Sequence, residues 1–349
     1  MSRRLVVVLL VGLTLVAGAF AAWRLTTPET PLAQALSMTP ADAERVSWTD
    51  WDAVRRELGA GLDADSSAED VRSFLDEAFS ADLSSMSALV SSAPVLQQQF
   101  GFSPATLEWE LFAQSPDGAV ELMRVSDEVS LAGVVDRLEA LGFEAPAEDD
   151  GVWIGGPDVL AGIDSSLTPE LQHVAILAGE HLVISSDQAP FLERAIAVAQ
   201  GDDDAADDLA DLTEDLGEAT AAAIYDGAHA CEKLAMSQAD DDAQAEADQL
   251  VAAAGGVHPL AGFAMARLVD GDIRVVMQVE DEDDAASDAD ARAALAAGPA
   301  PGQGGSFTDR FAVDRAAAQG RAVILDLRPG DGGYVLSDLT SGPVLFATC

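Results

Sequence analysis

An uncharged apolar segment near the N-terminus constrains this chain more than any other feature of its sequence. Residues Leu5 to Trp23 carry no charged side chain, and they follow Arg3 and Arg4. As a helix rising about 1.5 Å per residue, the segment would be roughly 28 Å long, enough to cross the hydrocarbon core of a bilayer. Because basic flanks favour the cytoplasmic side, the rest of the chain is predicted to lie outside the cytoplasm.

Two fates of this segment are compatible with its sequence. Ala19-Phe20-Ala21 fits the small-x-small pattern that signal peptidase cleaves, and the N-terminus is suitably basic. Against cleavage, the apolar run is longer than a usual signal sequence, and Trp23 and Arg24 are placed like interfacial anchor residues. Residues 1–24 are therefore predicted to be a transmembrane anchor, or a signal peptide whose cleavage near Ala21 secretes the protein.

Charge is the outlying property of the composition. The chain has 61 acidic and 18 basic residues, a formal net charge of −43. A field of that sign repels nucleic acids and anionic lipid headgroups, so no nucleic-acid partner is expected, and membrane contact is expected through the N-terminal helix alone. The same field attracts cations or a basic partner, although a highly soluble surface accounts for it without any ligand.

Cys231 and Cys349 are the only cysteines of the chain. Thiols oxidise outside the cytoplasm, and an even number of cysteines favours pairing. The sequence therefore predicts a disulfide that connects the last residue of the chain to a predicted helix early in its second half.

Hydrophobic patterning predicts short strands alternating with helices in the first half. A strand leads into a helix over residues 46–58, and a capped helix after Ser67 has an apolar stripe that includes Phe79. A hairpin turns at Asp117-Gly118, and a further helix runs from Ser130 to Gly142.

The second half repeats this order. Ala222 to Asp226 again leads a strand into a helix, and a second hairpin turns at Asp270-Gly271. Residues 322–327 and 333–348 are predicted to supply the last strands. We therefore predict an α+β fold of duplicated two-lobe architecture, with mainly antiparallel sheets and helices packed on one face, after one N-terminal transmembrane or signal helix. Whether the two lobes share one sheet stays open.

Five segments follow from these patterns. The leucines at 209, 212 and 216 are helically spaced, so the acidic stretch around them is predicted to be a solvated helix rather than a linker. The predicted boundaries are a transmembrane or signal segment over 1–24, a proline-containing stalk over 25–40, a first α+β lobe over 41–200, an acidic bridging helix over 201–219 and a second α+β lobe over 220–349.

The sequence contains no recognisable catalytic or cofactor-binding pattern, so no cofactor is predicted. No phosphate-binding loop, dinucleotide fingerprint, serine nucleophile elbow or zinc-protease spacing occurs. The acidic runs lack the calcium-binding loop with its central glycine, so they indicate only diffuse attraction of cations. No metal ligands are assigned.

Five residues are weak functional candidates. Asp50 and Asp226 occupy matched places in the two halves, although helix capping explains both without a function. Trp48, Trp51 and Trp109 could line a groove for a sugar or a peptide, although core packing is the ordinary role of aromatic residues in strands.

Four stretches of the chain resemble a known group of proteins: residues 47–51, 107–125, 231–234 and 345–349. They are similar to uncharacterised membrane-anchored or secreted proteins of high-GC Gram-positive bacteria, which have one N-terminal hydrophobic segment and an exported body. The resemblance covers most of the chain. It brings no catalytic residues, because the family has no known activity, but it supports the Cys231–Cys349 pairing and an extracytoplasmic body.

These observations favour a non-enzymatic extracytoplasmic envelope protein, tethered to the cell membrane as a single-pass protein, that binds an unknown envelope protein or cell-wall component. One alternative is an envelope hydrolase that uses paired carboxylates from Asp50, Asp226 or the Glu108/Glu110 face of a strand. Another is an acidic cation-binding surface protein.

Overall fold

The computed structural model describes residues 30–349, so the predicted transmembrane or signal segment over 1–24 lies outside the described residues. Within residues 30–349, no helix combines the length and the apolar character needed to cross a membrane.

Helices and short strands alternate along the described chain. The strands are β1 Arg45–Thr49, β2 Leu107–Ser115, β3 Gly118–Val125, β4 Trp153–Ile154, β5 His173–Leu177, β6 Leu182–Ser186, β7 Ala219–Asp226, β8 Leu260–Leu268, β9 Ile273–Val279, β10 Phe311–Gln319 and β11 Ala322–Pro329. The α-helices are α1 Pro31–Leu36, α2 Trp51–Leu58, α3 Ala68–Ser80, α4 Ala93–Val95, α5 Leu131–Leu141, α6 Pro157–Ile163, α7 Ala189–Ala199, α8 Asp207–Asp211, α9 Gly227–His229, α10 Asp241–Ala254, α11 Ala285–Ala296 and α12 Val335–Thr340.

All eleven strands form one sheet with antiparallel pairing, in the order β10-β11-β9-β8-β7-β1-β2-β3-β6-β5-β4. At its centre β1 pairs with β7, with Thr49 opposite Ala221. Outward from this pair, β1-β2-β3-β6-β5 and β7-β8-β9-β11-β10 repeat the same connectivity. The α+β class and the antiparallel pairing are confirmed, and the two halves share one sheet.

Helices cover both faces of the sheet, so the prediction that they pack on one face is wrong. One face carries a single hydrophobic cluster that spans both halves and packs against α1, α7 and α8; we call it the common core. The other face carries two separate clusters, one for each half. The reason lies in the strands, because neighbouring residues such as Ala222 and Ala223 point to opposite faces and both are fully buried.

The N-terminal part of the described chain corrects the predicted stalk. The side chain of Thr30 accepts a hydrogen bond from the Ala33 amide, and Pro31 occupies the first turn of α1. Leu32 and Leu36 are buried in the common core. Proline disfavours a helix interior but suits its first turn, so Pro31 belongs to a helix start rather than to a stalk. Residues 25–29 of the predicted stalk lie outside the described residues.

The predicted solvated bridging helix is also corrected. Residues 201–219 contain the five-residue α8 and a 3-10 turn over Leu212–Glu214 rather than one continuous helix. Leu209, Leu212 and Leu216 are all buried in the common core. The leucine spacing therefore reflects burial against the sheet, while the acidic residues between them stay at the surface.

The C-terminal region differs from its predicted strands. Residues 333–348 form α12 and a 3-10 turn over Leu345–Ala347, whereas β10 was not predicted. Val335, Leu336 and Leu339 are buried at helical spacing, but a short apolar run does not distinguish a strand from a buried helix.

A disulfide and the hydrogen bonds of a buried arginine hold the C-terminal residues in place. The Cys231–Cys349 disulfide is present as predicted, with the two Cα atoms 5.7 Å apart. The fully buried guanidinium of Arg292 on α11 donates hydrogen bonds to the carbonyls of Phe346 (2.7 Å) and Thr348 (2.9 Å), and its Nε donates to Asp288 (2.8 Å). The last residues are therefore attached to the second half covalently and by hydrogen bonds.

Candidate functional site

Two buried carboxyl groups lie side by side on the sheet face that carries the separate clusters. Glu110 on β2 is 0% exposed and Glu121 on β3 is 1% exposed. The register places Glu110 opposite Met123 and Glu121 opposite Phe112, so the two glutamates are diagonal neighbours on one face. Diagonal neighbours in an antiparallel pair are roughly 7–8 Å apart, within electrostatic reach of each other.

Glu110 connects the sheet by hydrogen bonds to α2 and to the loop that contains Ser87 and Ala88. Its Oε2 accepts hydrogen bonds from Trp51 Nε1 (2.7 Å) and Ser87 Oγ (2.9 Å), and its Oε1 accepts one from the Ala88 amide (2.7 Å). Burial raises the pKa of Glu110 to about 7, against the opposing effect of these hydrogen bonds.

Glu121 lacks such partners within the described chain. Neither of its carboxyl oxygens has a hydrogen-bond partner there, and nor does the hydroxyl of Ser185, which lies directly opposite it on β6. Burial, and then repulsion by Glu110 and Glu170, raise the pKa of Glu121 well above its ordinary value. Burial without a hydrogen-bond donor therefore favours the neutral form of the Glu121 carboxyl group.

Whether the Glu110–Glu121 pair can act in catalysis depends on whether a substrate can reach it. Two carboxyl groups with raised pKa values suit general acid–base catalysis, provided that a substrate reaches them. Five clefts on the described surface, of about 180 to 520 Å³, are all lined by other residues. The sequence analysis names Glu110 as a candidate but not Glu121. A glutamate within the mostly apolar residues 119–125 is the signal that could have identified Glu121.

Asp50 and Asp226 are not brought together. Each caps a helix, because Asp50 Oδ1 accepts from the Ala53 amide (2.7 Å) and Asp226 Oδ1 accepts from the His229 amide (2.6 Å). Since they follow the C-terminal ends of β1 and β7, which are antiparallel, they lie at opposite ends of the central strand pair.

Their surroundings also differ. Burial raises the pKa of Asp50. Asp226 lines a cleft of about 520 Å³ together with other acidic residues, among them Asp42, Glu44 and Asp207. The two aspartates are therefore matched in position but do not form one site.

The three candidate tryptophans pack in the interior instead of lining a groove. Trp48 and Trp109 lie in the common core with ring centroids 5.3 Å apart. Trp51 is fully buried on the other face and holds Glu110. Their role in the structure is packing and hydrogen bonding.

A surface feature that the sequence did not predict lies where the two halves meet. Phe79, Val269 and Tyr334 are three of the four exposed large hydrophobic residues of the described chain, with Ile154 the fourth. The rings of Phe79 and Tyr334 are 5.7 Å apart. We call these three residues the junction patch, because the segments that carry them line one pocket through Ser80, Gly271 and Gly333. Phe79 continues the apolar stripe of α3, so sequence periodicity placed it in the core.

A pocket of about 180 Å³ lies beside the junction patch and is lined by residues of both halves, including Asp82, Arg267 and Gly333. Asp82 is 7% exposed and has the left-handed φ of 54°. Its Oδ2 accepts a hydrogen bond from the Leu336 amide (3.0 Å), and its Oδ1 has no hydrogen-bond partner in the described chain. Burial raises the pKa of Asp82.

Metal binding has no evident site in residues 30–349. No group of three or more histidine, cysteine, aspartate or glutamate residues there is arranged to hold a metal ion.

Comparisons with known proteins give little guidance. No protein-family model matches the sequence, and no curated protein matches it. Two crystal forms of a protein named TP0453 are similar to this chain, with TM-scores of 0.42 and identities of 8% and 9%. The matches cover 89% and 88% of this chain and 97% and 98% of the TP0453 chains. At that level of similarity we draw no conclusion about function from TP0453.

Proposed function

We propose that the protein is a non-enzymatic envelope protein, tethered to the membrane by its N-terminal segment, whose extracytoplasmic body binds a partner protein or a cell-wall component. The observation that carries the proposal is the Cys231–Cys349 disulfide, because disulfides form and persist in oxidising compartments. The apolar segment Leu5 to Trp23 supports tethering, and cleavage near Ala21 would instead secrete the same body.

Binding rather than catalysis is supported by the positions of the reactive and the exposed groups. Glu110 and Glu121 are sealed in the interior, whereas the junction patch exposes aromatic side chains beside a pocket. Exposed apolar patches of this kind mark interaction sites. The repeated strand order also supports the proposal that the body consists of two duplicated lobes fused through β1 and β7.

Protease shaving of intact cells that produce the full-length chain tests the location. We expect external protease to digest the body while a cytoplasmic marker stays intact, and the two cysteines to react with a thiol reagent only after reduction. Protection of the body in intact cells, or alkylation of both cysteines without reduction, would contradict the proposal.

Photocrosslinking in the same cells tests binding. A photoreactive residue is placed at several exposed positions of each half, one variant at a time, and the attached protein or wall fragment is identified by mass spectrometry. We expect one species to be captured from a limited set of positions. Equal capture of many species from every position would show collision rather than binding.

A hydrolase that uses the buried carboxyl pair is the second candidate, favoured by the raised pKa of Glu110 beside Glu121. It requires residues 83–90 to open, because Ser87 and Ala88 cover Glu110. Hydrogen exchange measures this opening. Amides of residues 83–90 that exchange as slowly as those of β2 would exclude substrate access.

A further inference from the structure

The junction patch is formed by three loops or helix ends that are far apart in the sequence. Phe79 lies near the end of α3, Val269 lies in the turn between β8 and β9, and Tyr334 precedes α12. Their exposed fractions are 58%, 59% and 39%. Contiguous exposed apolar groups are rare on monomeric proteins, and phenylalanine and tyrosine are enriched where proteins bind one another.

Four of the residues that line the adjoining pocket are glycines. The segment between β11 and α12 contributes Gly330, Gly332 and Gly333 to its lining, and the β8–β9 turn contributes Gly271. Gly332 has a φ of +69°, which a residue with a side chain rarely adopts. A pocket of about 180 Å³ is suited to one inserted side chain rather than to a large ligand.

The pocket has an excess of negative charge. The Asp82 side chain lines it, and its carboxylate accepts a hydrogen bond from the Leu336 amide but forms no ion pair with a basic side chain of residues 30–349. Arg267 lines it as well, but its guanidinium donates to both carboxyl oxygens of Glu57 (2.7 and 3.0 Å). Since the charge of Arg267 is already compensated, an incoming basic group would find Asp82 as its partner.

The loops around the pocket add to this charge. Asp270 and Asp331 are exposed in the β8–β9 turn and in the glycine-containing segment. A charge-assisted hydrogen bond to a buried carboxylate is among the stronger polar contacts, and an acidic ligand would be repelled. Apolar surface, a pocket for one side chain and a carboxylate without a basic partner together fit one kind of occupant.

We propose that the junction patch binds an exposed segment of a partner protein that carries a lysine or arginine between apolar residues. The basic side chain enters the pocket and binds Asp82, and the flanking apolar side chains pack on Phe79, Val269 and Tyr334. This proposal rests on the proposed binding function and names the chemistry of the partner.

Selection from a library of random peptides displayed on phage tests the proposal, with the full-length chain held in lipid nanodiscs and empty nanodiscs used for counter-selection. We expect the enriched peptides to share a lysine or arginine flanked by aromatic or aliphatic residues. Synthetic versions of the enriched peptides are then measured by calorimetry against the variants below.

Asp82→Asn removes the charge but keeps a side chain that tolerates left-handed backbone and accepts from the Leu336 amide. We expect it to lower the affinity for the enriched peptides by about tenfold or more, which corresponds to the loss of one hot-spot contact. The double variant Phe79→Ser/Tyr334→Ser should lower the affinity by a similar factor. Ile154→Ser is the matched control, because Ile154 has the same exposed fraction as Tyr334, 39%, but lies on the far edge strand β4.

Enriched peptides without a basic residue, or peptides that bind Asp82→Asn as tightly as the unaltered chain, would overturn the proposal. So would an equal loss of binding in Ile154→Ser. Failure here is distinguishable from failure of the proposed function. A partner crosslinked in cells from positions remote from the junction patch would leave the function standing and exclude this site.

Discussion

Glu121 occupies a position at which a carboxyl group is costly to bury. It sits in the middle of β3 with both oxygens unpaired, whereas Glu110 has three donors. Removing a carboxyl group from water disfavours its charged form, so the neutral form is retained in the folded state. Stability should therefore depend on pH through this pair.

The direction of that dependence follows from the raised pKa values. A group whose pKa is raised on folding contributes its full stability below its unfolded pKa, and the contribution is lost as the pH rises towards the folded value. For Glu110 this window extends from 4.5 to about 7. For Glu121, whose pKa is also raised by burial, stability is lost in the same direction as the pH rises.

Replacing Glu121 by glutamine should remove much of this loss. We expect Glu121→Gln to increase the free energy of unfolding by about 1–3 kcal/mol near pH 8 and to change it little near pH 4. Urea denaturation at both pH values measures the difference. Glu77→Gln, at an exposed position of α3, is the control and should have little effect at either pH. Destabilisation by Glu121→Gln near pH 8 would contradict the account.

The two capping aspartates provide a second test at this scale. Asp50→Ala and Asp226→Ala should each lower the free energy of unfolding by about 0.5–2 kcal/mol, because each removes the acceptor for an otherwise unpaired helix amide. The effects should add in the double variant, since the residues lie at opposite ends of the β1–β7 pair. Strong coupling between them in denaturant titrations would instead indicate a shared site.

At the scale of elements, the C-terminal segment depends on α11 and on the region after α9. Arg292 on α11 donates to two carbonyls of the segment, and the disulfide attaches its last residue. The residues involved are separated by 118 positions in one case and by more than 50 in the others. The disulfide therefore restricts the unfolded chain as well as the folded one, whereas the hydrogen bonds stabilise the folded chain alone.

Removing the disulfide should destabilise the protein measurably. We expect Cys231→Ser/Cys349→Ser to lower the free energy of unfolding by about 2–4 kcal/mol, because the loop it closes is long. Reduction of the unaltered chain should give the same value in guanidinium titrations. If the reduced chain and the double variant lose the same free energy of unfolding, the loss is due to the missing cross-link and not to the serines.

The Asp288–Arg292 pair should behave differently when it is broken and when it is replaced. Arg292→Ala leaves the fully buried Asp288 with His258 (2.6 Å) as its remaining side-chain partner, and we expect a loss of about 3–5 kcal/mol. The double variant Asp288→Leu/Arg292→Leu should lose less than Arg292→Ala alone, because no buried charge is left unpaired. Chemical denaturation of the three proteins is the measurement. A double variant as unstable as Arg292→Ala would show that the carbonyl contacts dominate.

At the scale of the whole molecule, the common core joins the two halves into one cooperative unit. It contains residues from β1, β2, β3, β5 and β6 as well as from β7, β8, β9 and β11. The central strand β1 is paired on one side within its own half and on the other side with β7. Neither half can lose its packing on this face without exposing apolar surface of the other.

Thermal unfolding should therefore show one transition with equal calorimetric and van't Hoff enthalpies. Trp48→Ala, which removes a large side chain at the centre of the common core, should lower stability by about 3–5 kcal/mol. Probes in both halves should shift together. Two separate transitions would show that the lobes fold independently if Trp48→Ala shifted only the transition of the first half.

Local patterns in the sequence determined much of the fold of this protein. The capped helices α2, α3 and α5, the hairpins turning at Asp117 and Asp270, and the disulfide all depend on nearby residues or on the number of cysteines. The β1–β7 pairing, the burial of strands on both faces and the helical C-terminus depend on contacts between distant residues. Sequence periodicity does not report such contacts.

The candidate sites were decided by tertiary structure. Glu121 becomes unusual because its neighbours exclude water and offer no donor, and the junction patch exists because three distant turns and helix ends meet where the two halves join. Phe79 shows the limit most clearly: its spacing is that of a core residue, but nothing in the described chain covers it fully. Which apolar side chains are left exposed is settled only by the packing of all the others.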